Sequence, residues 1–301
     1  MLVQQVPALI KTMRPRQWTK NVVIFAGLIF DRQLGFDHLP ATMRTLAGFI
    51  IFCLLSGVVY IINDLTDIEA DRQHPDKCHR PLASGELSIS VAVTAAVLLL
   101  LFISPLAYLL SPAFAIVSLS YLLVNLAYSR WIKHVPLLDV LSIALGFVLR
   151  VAAGVTLIQV ARFSPWLYVV TTLGALYIGF GKRRAELALL AESANSHRRV
   201  LDGYSIPLLD QYITIVSTST IIAYSLYTFS APNLPDNHSM MLTIPFVLYG
   251  VFRYLYLIRV KHGGGAPEEV LLSDRPLQVA IVLWGLAILF IFYVTPSGSM
   301  R

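Results

Sequence analysis

The sequence predicts an all-α integral membrane protein with nine transmembrane helices, and three observations carry that reading. The 301 residues are 56% hydrophobic and only 13% charged, with a mean hydropathy of +0.70, too apolar for a water-soluble globular domain. Nine apolar runs approach the roughly 20 residues that a helix needs to cross a bilayer, at about 19–36, 42–62, 88–109, 112–129, 137–159, 164–181, 210–230, 239–258 and 276–296. Most of the 23 Lys and Arg residues fall at the N-terminus and in the loops after the second, fourth, sixth and eighth runs. That bias sets the N-terminus in the cytoplasm and the C-terminus outside, in the cell (inner or plasma) membrane.

The whole chain, 1–301, reads as one polytopic domain. No cleavable signal peptide is expected, because basic residues from Lys11 to Lys20 interrupt the first apolar pattern. Residues at about 1–16 read instead as an interfacial helix, with Trp18 near the headgroups. Cys53, within a span, and Cys78, in a loop, suggest no disulfide. A net charge of +6 reflects attraction to anionic lipid or substrate, or topology signals alone, and no nucleic-acid partner is expected.

The first span opens on Arg14-Pro15-Arg16-Gln17-Trp18-Thr19-Lys20-Asn21, where the cations act as anchors or turn toward a ligand. Span two carries Ser56, Tyr60 and Asp64 at helical spacing, a polar stripe that belongs in a bundle interior or a watery cavity. The stripe runs on into Asn63-Asp64, Asp67 and Asp71. On one helix these three carboxylates stand at i, i+3 and i+7 and share a face within about two turns. Anions held that close need cations. Carboxylate oxygens suit magnesium, which is usually shared with substrate phosphates, and Arg72, Lys77 and Arg80 follow directly. The motif therefore reads as a magnesium-diphosphate site at the membrane surface.

Pro75 and Arg80-Pro81 end the helix and make 74–86 a loop that folds back over the site, within a cytoplasmic segment at about 63–87. His74 and His79 match no zinc spacing and read as hydrogen-bonding loop residues. Spans three and four are packing helices, and the loop at about 130–136 supplies Lys133 after Tyr128. Span five places Asp139, Ser142, Gly146 and Arg150 on one face. A charge near the bilayer centre costs at least about 2.5–3.5 kcal/mol, so Arg150 lines a cavity or makes a structural contact rather than meeting lipid. Asp139 is no partner for it, because eleven helical residues separate them by roughly 16 Å.

Span six ends in Gly181-Lys182-Arg183-Arg184-Ala185-Glu186, where bases after glycine suit a phosphate or a positive-inside flank. The loop at about 182–209 continues through His197, Arg198, Arg199 and Asp202. Span seven is rich in Ser, Thr and Tyr, which suits hydrogen bonds between helices. The last cytoplasmic loop, about 259–275, holds Gly263-Gly264-Gly265 and the pair Glu268-Glu269, read as surface and structural residues.

These motifs resemble the UbiA superfamily of intramembrane prenyltransferases, which implies nine helices around a central cavity with an aspartate motif after helix two. Arg14 to Asn21, His74-Pro75 with Lys77 and Arg80-Pro81, Lys133-His134-Val135-Pro136 with Asp139, Gly181 to Glu186 and Gly264 to Glu269 look like its decaprenyl-phosphate phosphoribosyltransferase branch. Prenyltransferases of the wider superfamily carry a second aspartate motif after helix six. Here Lys182, Arg183, Arg184 and Glu186 stand in that place, which argues against a second carboxylate-bound metal.

The resemblance implies a magnesium-dependent enzyme in which Asp64, Asp67 and Asp71 hold the metal and phosphoribosyl pyrophosphate gives its phosphoribosyl group to a polyprenyl phosphate. The product would be a precursor for cell-envelope glycans. Lys77, Arg80 and Lys133 would clamp the diphosphate, and Lys20 and Lys182 would meet the lipid phosphate or 5-phosphate. Tyr60, Asn63, Tyr128, Asp139, Arg150, Arg183 and Glu186 complete the expected substrate-binding set. Two alternatives stay open, a prenyl transfer from a prenyl diphosphate and a non-enzymatic transporter of lipid phosphate or organic anions. Membrane lipid is an expected partner, and homo-oligomerisation is open.

Overall fold

The computed structural model describes residues 2–75, 77–160, 164–192, 199–231, 234–261, 270–271 and 273–294. All regular structure among them is helical. In chain order the α-helices are α1 (Leu2–Thr12), α2 (Ala26–Phe30), α3 (Leu39–Thr66), α4 (Ile68–Arg72), α5 (Pro81–Ser84), α6 (Ile89–Leu110), α7 (Pro112–Arg130), α8 (Leu138–Val155), α9 (Pro165–Glu192), α10 (Ile206–Ser230), α11 (Ile244–Arg259) and α12 (Arg275–Tyr293). Several starts follow directly from local chemistry. Ser88, Ser111, Ser205 and Asp274 accept a hydrogen bond from the backbone N–H three residues on, and a proline follows in the first turn of α7, α10 and α12.

Seven described helical stretches are long and apolar enough to cross a membrane: α3, α6, α7, α8, α10, Ser239–Arg259 and α12. Two of the nine expected spans are built differently. The sixth forms α9, which has ample length at 28 residues but is diluted by Tyr, Thr and Gly and runs on through Lys182, Arg183 and Arg184 to Glu192, so the first residues of the loop expected at 182–209 are helical. The first, expected at 19–36, is a 3-10 helix over Pro15–Phe25 followed by the five-residue α2. At about 2.0 Å per residue, the tighter winding carries 11 residues across about 22 Å. The interfacial helix expected at 1–16 is shorter, since α1 ends at Thr12 and Arg14 turns the chain at φ 52.

The described chain forms two compact units. The first gathers Met1–Leu28, Gln33–Val135 and Leu149–Val160. One of its cores packs Phe52, Leu55 and Val59 of α3 against Phe114 and Tyr121 of α7, Ile103 of α6 and Ala153 of α8. Ile24 joins that core because α8 has no side chain at Gly154, where an added Cβ would lie 1.8 Å from the Ile24 carbonyl oxygen. A second core sets Ala8 of α1 on Val58 and Ile61 of α3 and Leu82 of α5. Val6 and Ile10 of α1 stay exposed, as do Leu101, Phe102 and Leu109 of α6, a surface suited to lipid.

The second unit comprises Ile29–Arg32, Pro136–Val148 and Ala161–Arg301. Its larger core joins Val140, Tyr177, Phe180, Leu209, Ile213, Tyr254 and Leu277, with Val200, Leu201 and Tyr204 packed in from the segment before α10. A second cluster unites Tyr224, Tyr227, Met240, Ile291 and Phe292. The expected glycine loop with Glu268 and Glu269, and His197 and Arg198, lie outside the described residues.

Candidate active site

Three acids reach the end of α3, although not on one helical face as the spacing predicts. α3 stops at Thr66, Asp67 takes φ −103 and ψ 6, and α4 starts at Ile68. The Thr66 hydroxyl donates to the Asn63 carbonyl (2.8 Å), a local bond that competes with helix continuation. The break separates the acids by direction. Asp64 and Asp71 both accept from Arg80 Nη1, at 3.2 and 2.6 Å, whereas Asp67 accepts from Lys133 Nζ at 2.6 Å. Arg14 Nη2 also donates to Asp64 Oδ1, and its guanidinium stacks over the Tyr60 ring at 4.9 Å.

The loop after α4 thus folds back, carrying Arg80 to the acids on the turn before α5. Asp64 is 2% exposed and Asp71 3%, so solvent screens these pairs less than it would surface ion pairs of the same geometry, and removing one partner would leave a buried charge uncompensated. Of the expected clamp, Arg80 and Lys133 meet the aspartates, and the third cation there is Arg14. Lys77 is exposed, its backbone N–H on His74 Nδ1 at 3.4 Å. Asn63 accepts from the Ser129 hydroxyl at 3.1 Å, tying the motif to the end of α7 beside the half-buried Tyr128. Lys20 is half-buried on the 3-10 segment.

Deeper in the same unit, Arg150 is 7% exposed and anchors a polar hub. Its Nε donates to Asn21 Oδ1 (2.8 Å) and its Nη2 to the Tyr121 hydroxyl (2.8 Å), with the guanidinium over the Tyr121 ring. Ser56 donates to the same Asn21 oxygen at 3.3 Å, and Asn21 Nδ2 points at Cys53 Sγ. The hub gives the buried cation a place away from lipid and ties the 3-10 segment to α3, α7 and α8.

In the second unit Arg183 is not offered to a ligand as the sequence suggests. It is 1% exposed, bonded to Asp139 Oδ2 at 2.6 Å and to Glu186 Oε2 at 2.5 Å. A guanidinium one position along a helix from Lys182 faces inward, and the fully buried Asp139 neutralises it there. Tyr204 completes the cluster, its hydroxyl donating to Asp139 Oδ1 (2.7 Å) and accepting from the Leu137 N–H (2.6 Å). Burial raises the Tyr204 phenol above its ordinary range, so it stays a donor to the carboxylate. Arg184 pairs with Asp210, which Arg259 also reaches, while Glu186 is partly exposed and Lys182 half-buried.

Tyr121 and Tyr204 are contributors that spacing did not single out, and Arg14 and Asn21 stand in the run that opens span one with nothing there to mark their partners. Their partners lie 29 to 129 residues away, so no local periodicity marks them. Among the described residues no group of three or more His, Cys, Asp or Glu side chains converges as a ready-made metal cage. The donor set nevertheless fits magnesium. It consists of hard carboxylate oxygens, and that ion keeps waters and substrate phosphate oxygens in its shell instead of an all-protein cage.

Fold and site together define a helical membrane protein with an acidic centre matched by bases at the end of a span. Residues 22–268 match the model of the UbiA prenyltransferase family, and the chain belongs to that family. A decaprenyl-phosphate phosphoribosyltransferase from Mycolicibacterium smegmatis is 33% identical over 292 residues, covering 93% of this chain and 90% of its own length. One from Corynebacterium glutamicum is 31% identical over 291 residues, covering 96% and 87%. Among solved structures, a UbiA homolog from Archaeoglobus fulgidus bound to DMAPP and Mg2+ shares the fold, with a TM-score of 0.71 at 18% identity over 95% of this chain and 99% of its own. A digeranylgeranylglyceryl phosphate synthase does so at 0.67 and 15% identity, over 97% and 99%.

Proposed function

We infer that this chain is a membrane phosphoribosyltransferase that moves the 5-phosphoribosyl group of phosphoribosyl pyrophosphate to a polyprenyl phosphate such as decaprenyl phosphate, releasing diphosphate. The observation that carries the reading is the similarity at 31–33% identity, across more than nine-tenths of the chain, to enzymes named for that reaction. The base Lys182, standing where the wider superfamily carries a second acidic motif, supports it, because a donor with a 5-phosphate and a diphosphate brings more anion than a prenyl diphosphate.

Asp64, Asp67 and Asp71 would hold magnesium, which supplies positive charge to the departing diphosphate. Arg14, Arg80 and Lys133 turn from the aspartates to the phosphate oxygens and stabilise the same charge. As the bond from ribose C1 to the diphosphate oxygen breaks, its electron pair leaves with diphosphate and positive charge spreads over C1 and the ring oxygen. An oxygen of the lipid phosphate then bonds to C1 from the opposite face. That oxygen is already ionised at neutral pH, so the site needs no general base. Arg183, fixed by Asp139, holds Glu186 in place, and Lys182 and Lys20 are the bases for the 5-phosphate or the lipid phosphate.

In this reading α9 and the 3-10 segment count with the seven apolar helices as nine spans, with the N-terminus cytoplasmic and the C-terminus outside. The product enters cell-envelope glycan synthesis. Purified protein given labelled phosphoribosyl pyrophosphate and a panel of polyprenyl phosphates should label lipid and release diphosphate in equal amounts, only with magnesium. Asp67→Asn should lower that transfer by about 100-fold or more while keeping the wild-type unfolding transition. Full activity in Asp67→Asn, or prenyl transfer from a prenyl diphosphate in place of lipid labelling, would remove the reading.

A further inference from the structure

We propose that Arg14, acting with Arg80 and Lys133, is an internal counter-ion that closes the acidic centre to a bare divalent cation and yields the aspartates only when a diphosphate arrives with the metal. This deepens the function above and rests on it. Three carboxylates face three cations, and the pairs occupy oxygens that a metal would use. Arg14 and Arg80 share Asp64 Oδ1, Arg80 takes Asp71 Oδ2, and Lys133 takes Asp67 Oδ1.

A divalent ion entering alone must push these cations off and leave them beside it, where positive groups repel in a partly buried setting. A diphosphate removes that obstacle. Each displaced guanidinium finds a phosphate edge that matches its fork, and Lys133 finds another anion. Metal and diphosphate should therefore bind with positive coupling, each raising the affinity of the other by the same factor.

Arg14 is the member that only the structure assigns. It sits at the joint between α1 and the 3-10 segment with φ 52 and ψ 65, a left-handed backbone that a residue with a Cβ adopts at a cost. That conformation aims the side chain at Asp64 and across the Tyr60 ring. Its side chain is 28% exposed and that of Asp64 2%, so the cation has a path to water that the acid lacks.

The test measures Mn2+ binding to the full-length protein by electron paramagnetic resonance, with and without inorganic pyrophosphate. Wild type should bind Mn2+ weakly alone and about tenfold or more tighter with pyrophosphate. Arg14→Gln should bind Mn2+ alone about tenfold tighter than wild type, with a smaller gain from pyrophosphate, and Arg14→Lys should restore the wild-type pattern. Arg80→Gln, measured in parallel, should change affinity in the same direction and serves if Arg14→Gln does not fold. A folded glutamine variant with unchanged or weaker Mn2+ binding overturns the proposal. Phosphoribosyl transfer is scored separately: an intact Mn2+ pattern without lipid labelling defeats the reaction assigned above and leaves the counter-ion exchange standing.

Discussion

Arg183 shows how one side chain changes meaning between sequence and structure. In the run Lys182-Arg183-Arg184 the three bases look equivalent, but Arg183 is fully buried with Asp139 and Glu186 absorbing its charge, and Arg184 is held by Asp210 and the Ile258 carbonyl. Removing one partner of a buried ion pair leaves the other uncompensated, which typically costs about 3–5 kcal/mol. Arg183→Met should lower the thermal unfolding midpoint by many degrees in detergent, whereas Lys182→Met should leave it near wild type while altering substrate binding. Equal midpoints for the two variants would show that the Asp139 pair does not hold the second unit together. Arg150 was more legible than Arg183, because a lone cation inside an apolar run requires an internal partner. Which partner was not legible, since Asn21 lies 129 residues earlier.

Among the elements, those with local causes were the readable ones. Ser111, Ser205 and Asp274 cap α7, α10 and α12 with proline in the first turn, and these helices begin at Pro112, Ile206 and Arg275, near the apolar runs expected from 112, 210 and 276. The 3-10 segment and the break at Asp67 were not readable, because a buried amide hub decides the first and a threonine side chain bond accompanies the second. Asp274 illustrates how much one such start can bear. It caps α12 through the Leu277 N–H at 2.9 Å and binds Arg253 of α11 with both oxygens, at 3.1 and 2.8 Å.

The hydrogen bonds from Arg253 hold the Asp274 carboxyl below its usual range despite the opposing effect of burial. A lowered folded-state pKa stabilises the fold above the ordinary carboxylate value near pH 4, and that stability is lost as pH falls through the lowered value. Asp274→Ala should cost about 1 kcal/mol for the cap alone at neutral pH. The difference from wild type should shrink in acid, as read by unfolding midpoints across a pH series. A gap that stays constant down to pH 3 would mean the carboxylate charge contributes nothing.

At the level of the whole molecule, composition made the membrane class legible, and the sequence motifs carried the resemblance to the family and picked out the run of aspartates. The pairing of those aspartates was not legible, because Arg14, Arg80 and Lys133 approach from three separate segments. The two cysteines offer a direct check on orientation. Cys53 is buried in α3, and Cys78 is partly exposed in the loop that carries Arg80. With the N-terminus cytoplasmic, a membrane-impermeant maleimide should label Cys78 in inside-out vesicles and not in right-side-out ones, while Cys53 stays unlabelled in both. Labelling of Cys78 from the outer face would invert the topology.

The Arg150–Asn21 bond also sets a timetable for biogenesis. At about 5–20 residues per second, the ribosome needs on the order of ten seconds after Asn21 emerges to deliver its guanidinium partner. Through that interval the amide and Ser56 wait in a nascent chain whose hub is unfinished. Slowed translation between Ser56 and Arg150 would lengthen the interval in which these groups lack their guanidinium partner.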